Sequence, residues 1–292
     1  MDLDGRVAVV TGASAGLGRA EAVRLARAGA RMVLNDVDPG SDVLDELAGL
    51  GAEAVMVIGS IAERATADEL ISTALNRFGS LDVVVNNAGL VRDRMLFSLS
   101  DEDWDLVIAV HLRGHFLLCR GAATHWRALA KRGDGQVYGR LINTASEAFL
   151  FGPPGQANYA AAKAGIVALT VSAARGLARY GVTANAICPR ARTAMTAEVF
   201  GAPPTEGPDP LGTAHVTPLV AYLASPAASA INGQVFVVHG GKVALLAPPT
   251  VERCFTTGAE HWTPAELDAT LGGYFEKRDG ERMFAATEVM SI

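Results

Sequence analysis

Short apolar runs alternate with longer segments of helical period from the start of the chain. Residues 7–10 are wholly apolar and lead into a glycine-rich turn. Beyond it, Ala22, Leu25 and Ala26 recur on one helical face across residues 18–28, Gly29 suits a C-cap, and residues 31–36 read as a second strand. The same rhythm predicts a helix over 41–50, a strand over 54–58, a helix over 64–78 and a strand over 81–85. A long helix over 101–131 follows, then a strand at 140–143, a helix over 157–180 and a strand at 183–187. The proline-rich stretch 202–210 is a loop, Thr217-Pro218 opens another helix with threonine as N-cap, and 234–238 is the last strand. Strands apolar on both faces, separated by helices, predict an α/β fold: a single doubly wound Rossmann-type parallel sheet with helices on both faces.

That rhythm ends at Gly240-Gly241, short of the 292 residues of the chain. Thr263-Pro264-Ala265-Glu266 is a capping box with proline at the first helical position, which predicts a helix to about Lys277. The last 51 residues are too few for a self-sufficient core. The expected organisation is one dinucleotide-binding domain over 1–241. A helical extension over 242–292 packs on it or on a neighbouring subunit.

Composition narrows the function. Half the residues are hydrophobic and 19% are charged, which excludes a disordered chain. Cys119, Cys188 and Cys254 are scattered, and neither they nor His115, His125 and His215 have paired-ligand spacing, so no disulfide scaffold and no metal site are expected. With 25 basic against 31 acidic residues the net charge is −6 and the pI near 5.5, which argues against nucleic acid as a partner. Apolar runs fall short of the roughly 20 residues of a membrane span. The acidic start Asp2-Leu3-Asp4 is unlike a signal peptide, and Met290-Ser291-Ile292 is no peroxisomal address. A cytoplasmic protein is expected.

The chemistry begins in the turn Thr11-Gly12-Ala13-Ser14-Ala15-Gly16-Leu17-Gly18, between the first strand and the first helix. Its glycines allow a tight turn and close approach of a pyrophosphate, and the helix N-terminus adds partial positive charge. Asp36 ends the second strand 18 residues after Gly18, where a carboxylate accepts from ribose hydroxyls and repels a 2′-phosphate. Ser14 and Ala15 bring no charge to offset that repulsion, although Arg19 lies just beyond, so NAD is preferred over NADP. Tyr159 and Lys163 stand four residues apart on one helix face. A cation held near a phenol favours the phenolate, which makes the pair an acid–base unit. Ser146 lies 13 residues upstream at a strand end, able to hold a substrate oxygen beside the phenol. Glu147 next to it reads as a loop carboxylate, and Glu21 with Arg24 as a solvated helix face.

In these motifs, together with Asn86-Asn87-Ala88-Gly89, residues 5–241 resemble the short-chain dehydrogenase/reductase family. The resemblance implies that Asn87, Ala88, Gly89, Tyr159, Lys163, Pro189 and Thr193 join Gly12, Ser14, Gly16, Leu17, Gly18 and Asp36 around the cofactor. It further implies that Ser146 orients the substrate and Tyr159 transfers the proton, while Lys163 lowers the phenol's pKa and binds the nicotinamide ribose. His111 stands where most members carry an asparagine that holds a water in a proton relay; a histidine there can serve the same relay and titrate near neutrality, the alternative being a helix histidine satisfied by backbone. Arg190 replaces a glycine and Ser60 an acidic residue. Stretches such as Val33-Leu34-Asn35-Asp36, His111-Leu112-Arg113-Gly114 and Gly155-Gln156-Ala157-Asn158-Tyr159 are similar to the (3R)-hydroxyacyl-CoA dehydrogenase units of type 2 multifunctional β-oxidation enzymes.

This implies NAD-dependent interconversion of a secondary alcohol, a 3-hydroxyacyl-CoA, and its ketone. Arg92, Arg94, Arg190 and Arg192 would meet the phosphates of coenzyme A, residues 194–214 would form a lid, and the chain would assemble as a homodimer or homotetramer. Two alternatives stay open: a dehydrogenase of hydroxysteroids or other bulky alcohols, and a non-catalytic NAD(H)-binding scaffold or sensor.

Overall fold

Every residue of Val7–Thr11 (β1) is buried, because this strand lies inside the sheet with neighbours on both sides. The computed structural model describes residues 2–133, 135–278 and 283–292. After β1 come α1 (Gly16–Arg27), β2 (Arg31–Asp36), α2 (Ser41–Gly49), β3 (Ala54–Ile58), α3 (Arg64–Phe78) and β4 (Val83–Asn86). The second half runs through α4 (Asp101–Ile108), α5 (Gly114–Arg132), β5 (Gly139–Thr144), α6 (Ala148–Phe151), α7 (Ala157–Leu177) and β6 (Val182–Pro189). It closes with α8 (Ala197–Phe200), α9 (Thr217–Ala224), β7 (Val235–His239) and β8 (Lys242–Leu245). The strand order is β3-β2-β1-β4-β5-β6-β7-β8. All neighbours are parallel except β7 and β8, which pair antiparallel through His239 and Lys242, so the sheet continues past Gly241. β1 pairs with both β2 and β4, and the chain reverses its direction of winding there. Doubly wound sheets open their ligand crevice at that point.

Pleating divides the core. Ala8, Val10, Val83 and Val85 face one apolar cluster with Leu25, Val220 and Leu223, whereas Val7, Val9 and Val84 face another with Leu70, Leu118 and Trp126. Two helical stretches, Asp101–Arg132 and Ala157–Tyr180, are long and apolar enough to cross a membrane. Here they pack on the sheet, as buried Leu118, Trp126 and Ile166 show. The predicted long helix is continuous but carries a π-turn at Ala109–Arg113 between α4 and α5. In the tail, α10 (Pro264–Leu267), a π-turn and α11 (Gly273–Phe275) follow the predicted capping box, in which Thr263 Oγ1 accepts from the Glu266 amide at 3.2 Å.

Glu21 corrects the expectation of a solvated face. Position 21 falls between Leu17 and Leu25 in the i, i+4 stripe that α1 turns inward, so its side chain is fully buried, with no partner for either oxygen among the described residues. Burial pushes its carboxyl up to about 8. The unfolded chain loses this proton near the ordinary carboxylate value of 4.5 while the folded chain keeps it until about 8. Stability therefore falls as pH rises across that window. Glu21→Gln is expected to flatten the decline in Tm between pH 5 and pH 9. An equal decline in both proteins, followed by thermal melts, would show that the burial carries no such cost.

Candidate active site

The carboxyl ends of β1, β2, β4, β5 and β6 open onto one cavity of about 520 Å³. Gly12, Gly16 and Leu17 line it after β1, Asp36 at the end of β2, and Asn87, Ala88 and Gly89 after β4. Ser146 reaches it after β5, Tyr159 and Lys163 from α7, Pro189 from the end of β6, and Thr193 and His111 from flanking turns. Ser14 and Gly18, also assigned to the cofactor from sequence, do not line it. Ser14 instead donates its amide to Asp36 Oδ2 at 3.0 Å, and its hydroxyl is buried. Gly18 lies under the turn, where a Cβ would meet the Gly12 carbonyl oxygen at 2.1 Å.

The turn is clamped from β4. The amides of Asn87 and Ala88 both donate to Thr11 Oγ1 at 3.0 Å, and Asn87 Nδ2 donates to the carbonyls of Thr11 at 3.0 Å and Gly12 at 3.3 Å. At the start of α1, Ala15 gives no side-chain cap and the first turn has no acidic residue. The positive end of the dipole thus meets no carboxylate from the helix's own first turn, which suits a pyrophosphate. The residues present fit a dinucleotide. Asp36, beyond the turn, accepts from the amides of Ser14 and, at 2.8 Å, Val37.

At the inner end a ladder of buried amides fixes α7 on the sheet. Asn86 Nδ2 donates to Asn143 Oδ1 at 2.9 Å, and Asn143 Nδ2 donates to Thr170 Oγ1 at 2.8 Å. Asn158, buried and missed by the sequence reading, donates to the carbonyls of Arg92 at 3.1 Å and Asp103 at 3.4 Å. Its place just before Tyr159 was the available signal. Lys163 Nζ donates to the Thr144 carbonyl at 2.6 Å and lies 5.3 Å from the centre of the Tyr159 ring. Burial pushes Tyr159 up to about 12, against a hydrogen bond from Ser146 that pulls it down, and pushes Lys163 down to about 7. Desolvation thus outweighs the Ser146 hydrogen bond, and the phenol stands above its ordinary value rather than below it. Each charge is costly alone, and phenolate and ammonium become favourable together.

His111 sits in the π-turn, edge-on to Tyr159 with 5.2 Å between ring centres. Its Nε2 donates to the Leu90 carbonyl at 2.7 Å and also lies 3.1 Å from the Leu90 amide, and its buried Nδ1 has no partner among the described residues. Gly89 makes room for it, since a Cβ there would meet His111 Cε1 at 2.3 Å. Burial and, behind it, the Lys163 charge hold His111 well below the ordinary histidine value. The expected titration near neutrality does not occur, and the ring is neutral.

Three of the four arginines assigned to coenzyme A already pair with a carboxylate, Arg92 with Asp103 Oδ1 at 3.7 Å. Arg190 grips Glu147 with two bonds of 2.7 Å, which also makes Glu147 more than a loop carboxylate. Arg192 binds Asp209 at 2.9 Å and the carbonyls of Phe200 and Gly201, tying down the segment after Thr193. Arg92 and Arg94 remain exposed. The apolar wall comes from Leu90, Leu106, Val110 and Met195, which no motif marks.

The profile of the family described as short chain dehydrogenase matches residues 6–202, a span that contains the glycine turn, Ser146, Tyr159 and Lys163. The chain belongs to the short-chain dehydrogenase family. It is an oxidoreductase acting on CH–OH groups, and the family uses nicotinamide cofactors. It is 62% identical over 300 residues to hydroxyacyl-CoA dehydrogenase ChsB1 of Mycobacterium tuberculosis, covering 99% of this chain and 94% of that protein. It is 39% identical over 254 residues to the mouse peroxisomal multifunctional enzyme type 2, covering 83% of this chain but 33% of that one. Among solved structures, a short chain dehydrogenase from Mycobacterium avium superposes with a TM-score of 0.87 at 42% identity, covering 96% of this chain and 97% of that one.

Proposed function

We propose that this short-chain dehydrogenase interconverts a 3-hydroxyacyl-CoA and the corresponding 3-oxoacyl-CoA with NAD. The observation that carries the reading is the convergence of Ser146, Tyr159 and Lys163 on one cavity that Asp36 also lines. The 62% identity to a hydroxyacyl-CoA dehydrogenase supports the thioester over a steroid. A complete set of acid–base residues argues against a non-catalytic scaffold.

The nicotinamide, when bound, supplies the acceptor for the hydride. Gly12, Gly16, Leu17, Asn87, Ala88 and Gly89 would hold the dinucleotide, with Lys163 and Thr193 toward its nicotinamide end. In the oxidising direction the Tyr159 phenolate takes the alcohol proton while Ser146 Oγ holds the same oxygen. The Lys163 ammonium compensates the phenolate charge. Leu90, Leu106, Val110 and Met195 exclude water from the reacting carbon.

The reading is tested by assaying (3R)- and (3S)-3-hydroxyacyl-CoA esters beside hydroxysteroids, with NAD and with NADP. Turnover of an acyl-CoA with NAD is expected; steroid oxidation with no acyl-CoA turnover would overturn the substrate. For the cofactor, Asp36→Ala is expected to lower the NAD-to-NADP ratio of kcat/KM roughly ten- to a hundredfold, the worth of one charged hydrogen bond and the repulsion it brings. An unchanged ratio would remove Asp36 from cofactor selection.

A further inference from the structure

Arg190 occupies the position after Pro189, at the end of β6, and its guanidinium is the hub of a small network. Nε donates to Glu147 Oε2 and one terminal nitrogen donates to Glu147 Oε1, both at 2.7 Å. The other terminal nitrogen donates to the Ile292 carbonyl and to His239 Nε2, each at 3.2 Å. A further bond reaches the Val289 carbonyl. Arg190 and Glu147 side chains retain only 16% and 11% exposure, so the pair is shielded from solvent.

One of these carbonyls, that of Val289, belongs to a 3₁₀ segment, Thr287–Ser291, where it also accepts from the Ile292 amide at 3.3 Å, and the other is that of Ile292, which follows the segment. Val289 is buried in the cluster formed by Ala145, Ile166, Ala186, Cys188 and Val237. The Ala286 amide donates to the Leu150 carbonyl at 3.0 Å. Both chain neighbours of Ser146 are therefore tied to this distant segment: Ala145 through packing with Val289, and Glu147 through Arg190. The junction they belong to also has bonds of its own: the Ala145 amide donates to the Ile187 carbonyl at 2.7 Å and the Ala148 amide to Ser146 Oγ at 3.2 Å. It leads into α6, a four-residue helix stopped by Gly152 at a positive φ of 54°, and helices of that length do not hold themselves.

We infer that Arg190 and Glu147 are positioning residues that latch residues 286–292 against the strand–helix junction carrying Ser146, and that this latch sets the serine hydroxyl for the substrate oxygen. The inference rests on the proposed role of Ser146 in holding that oxygen. Arg190 does not touch the reacting atoms; it acts through the two residues that bracket Ser146. The bidentate fork matters, because a lysine supplies the charge without the paired bonds and the two extra carbonyl contacts.

Two measurements test it. First, Arg190→Met is made in the parent and in Ser146→Ala, and kcat is read on whichever secondary alcohol the parent oxidises. A loss of roughly ten- to a hundredfold is expected in the parent, the scale of a displaced positioning group, with partial recovery in Arg190→Lys. In Ser146→Ala the same change is expected to cost nothing further, and equal losses in both backgrounds would overturn the inference. Second, hydrogen exchange at the amides of residues 146–150 and 286–292 is compared between parent and Arg190→Met without any substrate. Faster exchange in both segments, on the order of tenfold, is expected; unchanged exchange at 146–150 overturns the latch even if no alcohol is ever turned over. The second measurement thus separates failure of the latch from failure of the proposed reaction. Should Arg190→Met not fold, Glu147→Gln removes the charge pair, keeps the side-chain volume and is read in the same two ways.

Discussion

Tyr159→Phe is expected to lower kcat for alcohol oxidation by roughly 10²–10⁴, the contribution of a positioned general base. The change deletes one oxygen from a ring held edge-on to His111, so Tm and cofactor affinity should move little. The pH profile sharpens the test. Burial pushes the phenol up to about 12 in the ligand-free chain, so the phenolate needed for oxidation becomes more populated as pH rises. Oxidation by the parent should accelerate as pH rises toward neutrality, and the phenylalanine variant should lose the acceleration along with the rate. Lys163, pushed down to about 7, loses its own proton above that pH, so the gain in phenolate and the loss of ammonium offset each other and the profile levels off there. A variant within tenfold of the parent, with the same pH profile, would show that the proton leaves by another group.

Gly18→Ala is expected to be the most damaging single methyl in the chain. A Cβ at Gly18 would lie 2.1 Å from the Gly12 carbonyl oxygen and 2.5 Å from Asn87 Nδ2, and the first of these is main chain that cannot step aside. Helix α1 would have to lift from the turn, breaking the clamp of Asn87 on the Thr11 and Gly12 carbonyls. Overpacking of this kind costs about 1–3 kcal/mol or more, a fall of several degrees in Tm for a chain of this size. NADH affinity, followed by fluorescence titration, should fall at least a hundredfold. Gly176→Ala is the control. That glycine lies in α7 with open space around its Cβ position, and helix propensity alone predicts a gain of about 1 kcal/mol. Equal effects of the two substitutions would show that the close approach under Gly18 is not what holds the turn.

How much of this was legible in the chain depends on whether local pattern or distant contact decides a feature. The alternation of apolar strands with helices foretold the parallel sheet, because strands buried on both faces need no partner information to look apolar. The glycine turn was legible for the same reason: its geometry is set within eight residues, and only glycine tolerates it. Ser146, Tyr159 and Lys163 were marked by residue type and spacing, and all three line one cavity. The pattern failed at Glu21, where a charged residue type outweighed a helical stripe that turns it inward. It missed β8, whose four residues are mostly exposed and carry no strong signal.

The sequence by itself determined the order of elements, the glycine turn after β1, the acidic end of β2 and which residues are proposed for the acid–base chemistry. These rest on backbone periodicity and on residue types acting within a single strand, turn or helix. Tertiary structure alone decided which charges are buried and which side chains meet across long separations. Whether His111 titrates depends on how completely it is desolvated and on Lys163 beside it, neither of which is local. Whether Arg190 faces a coenzyme or a carboxylate depends on Glu147, 43 residues away, and on carbonyls about 100 residues away. Burial and long-range pairing arise only when the chain closes on itself, and there the arginine at the end of β6 became a clamp on the residues around Ser146.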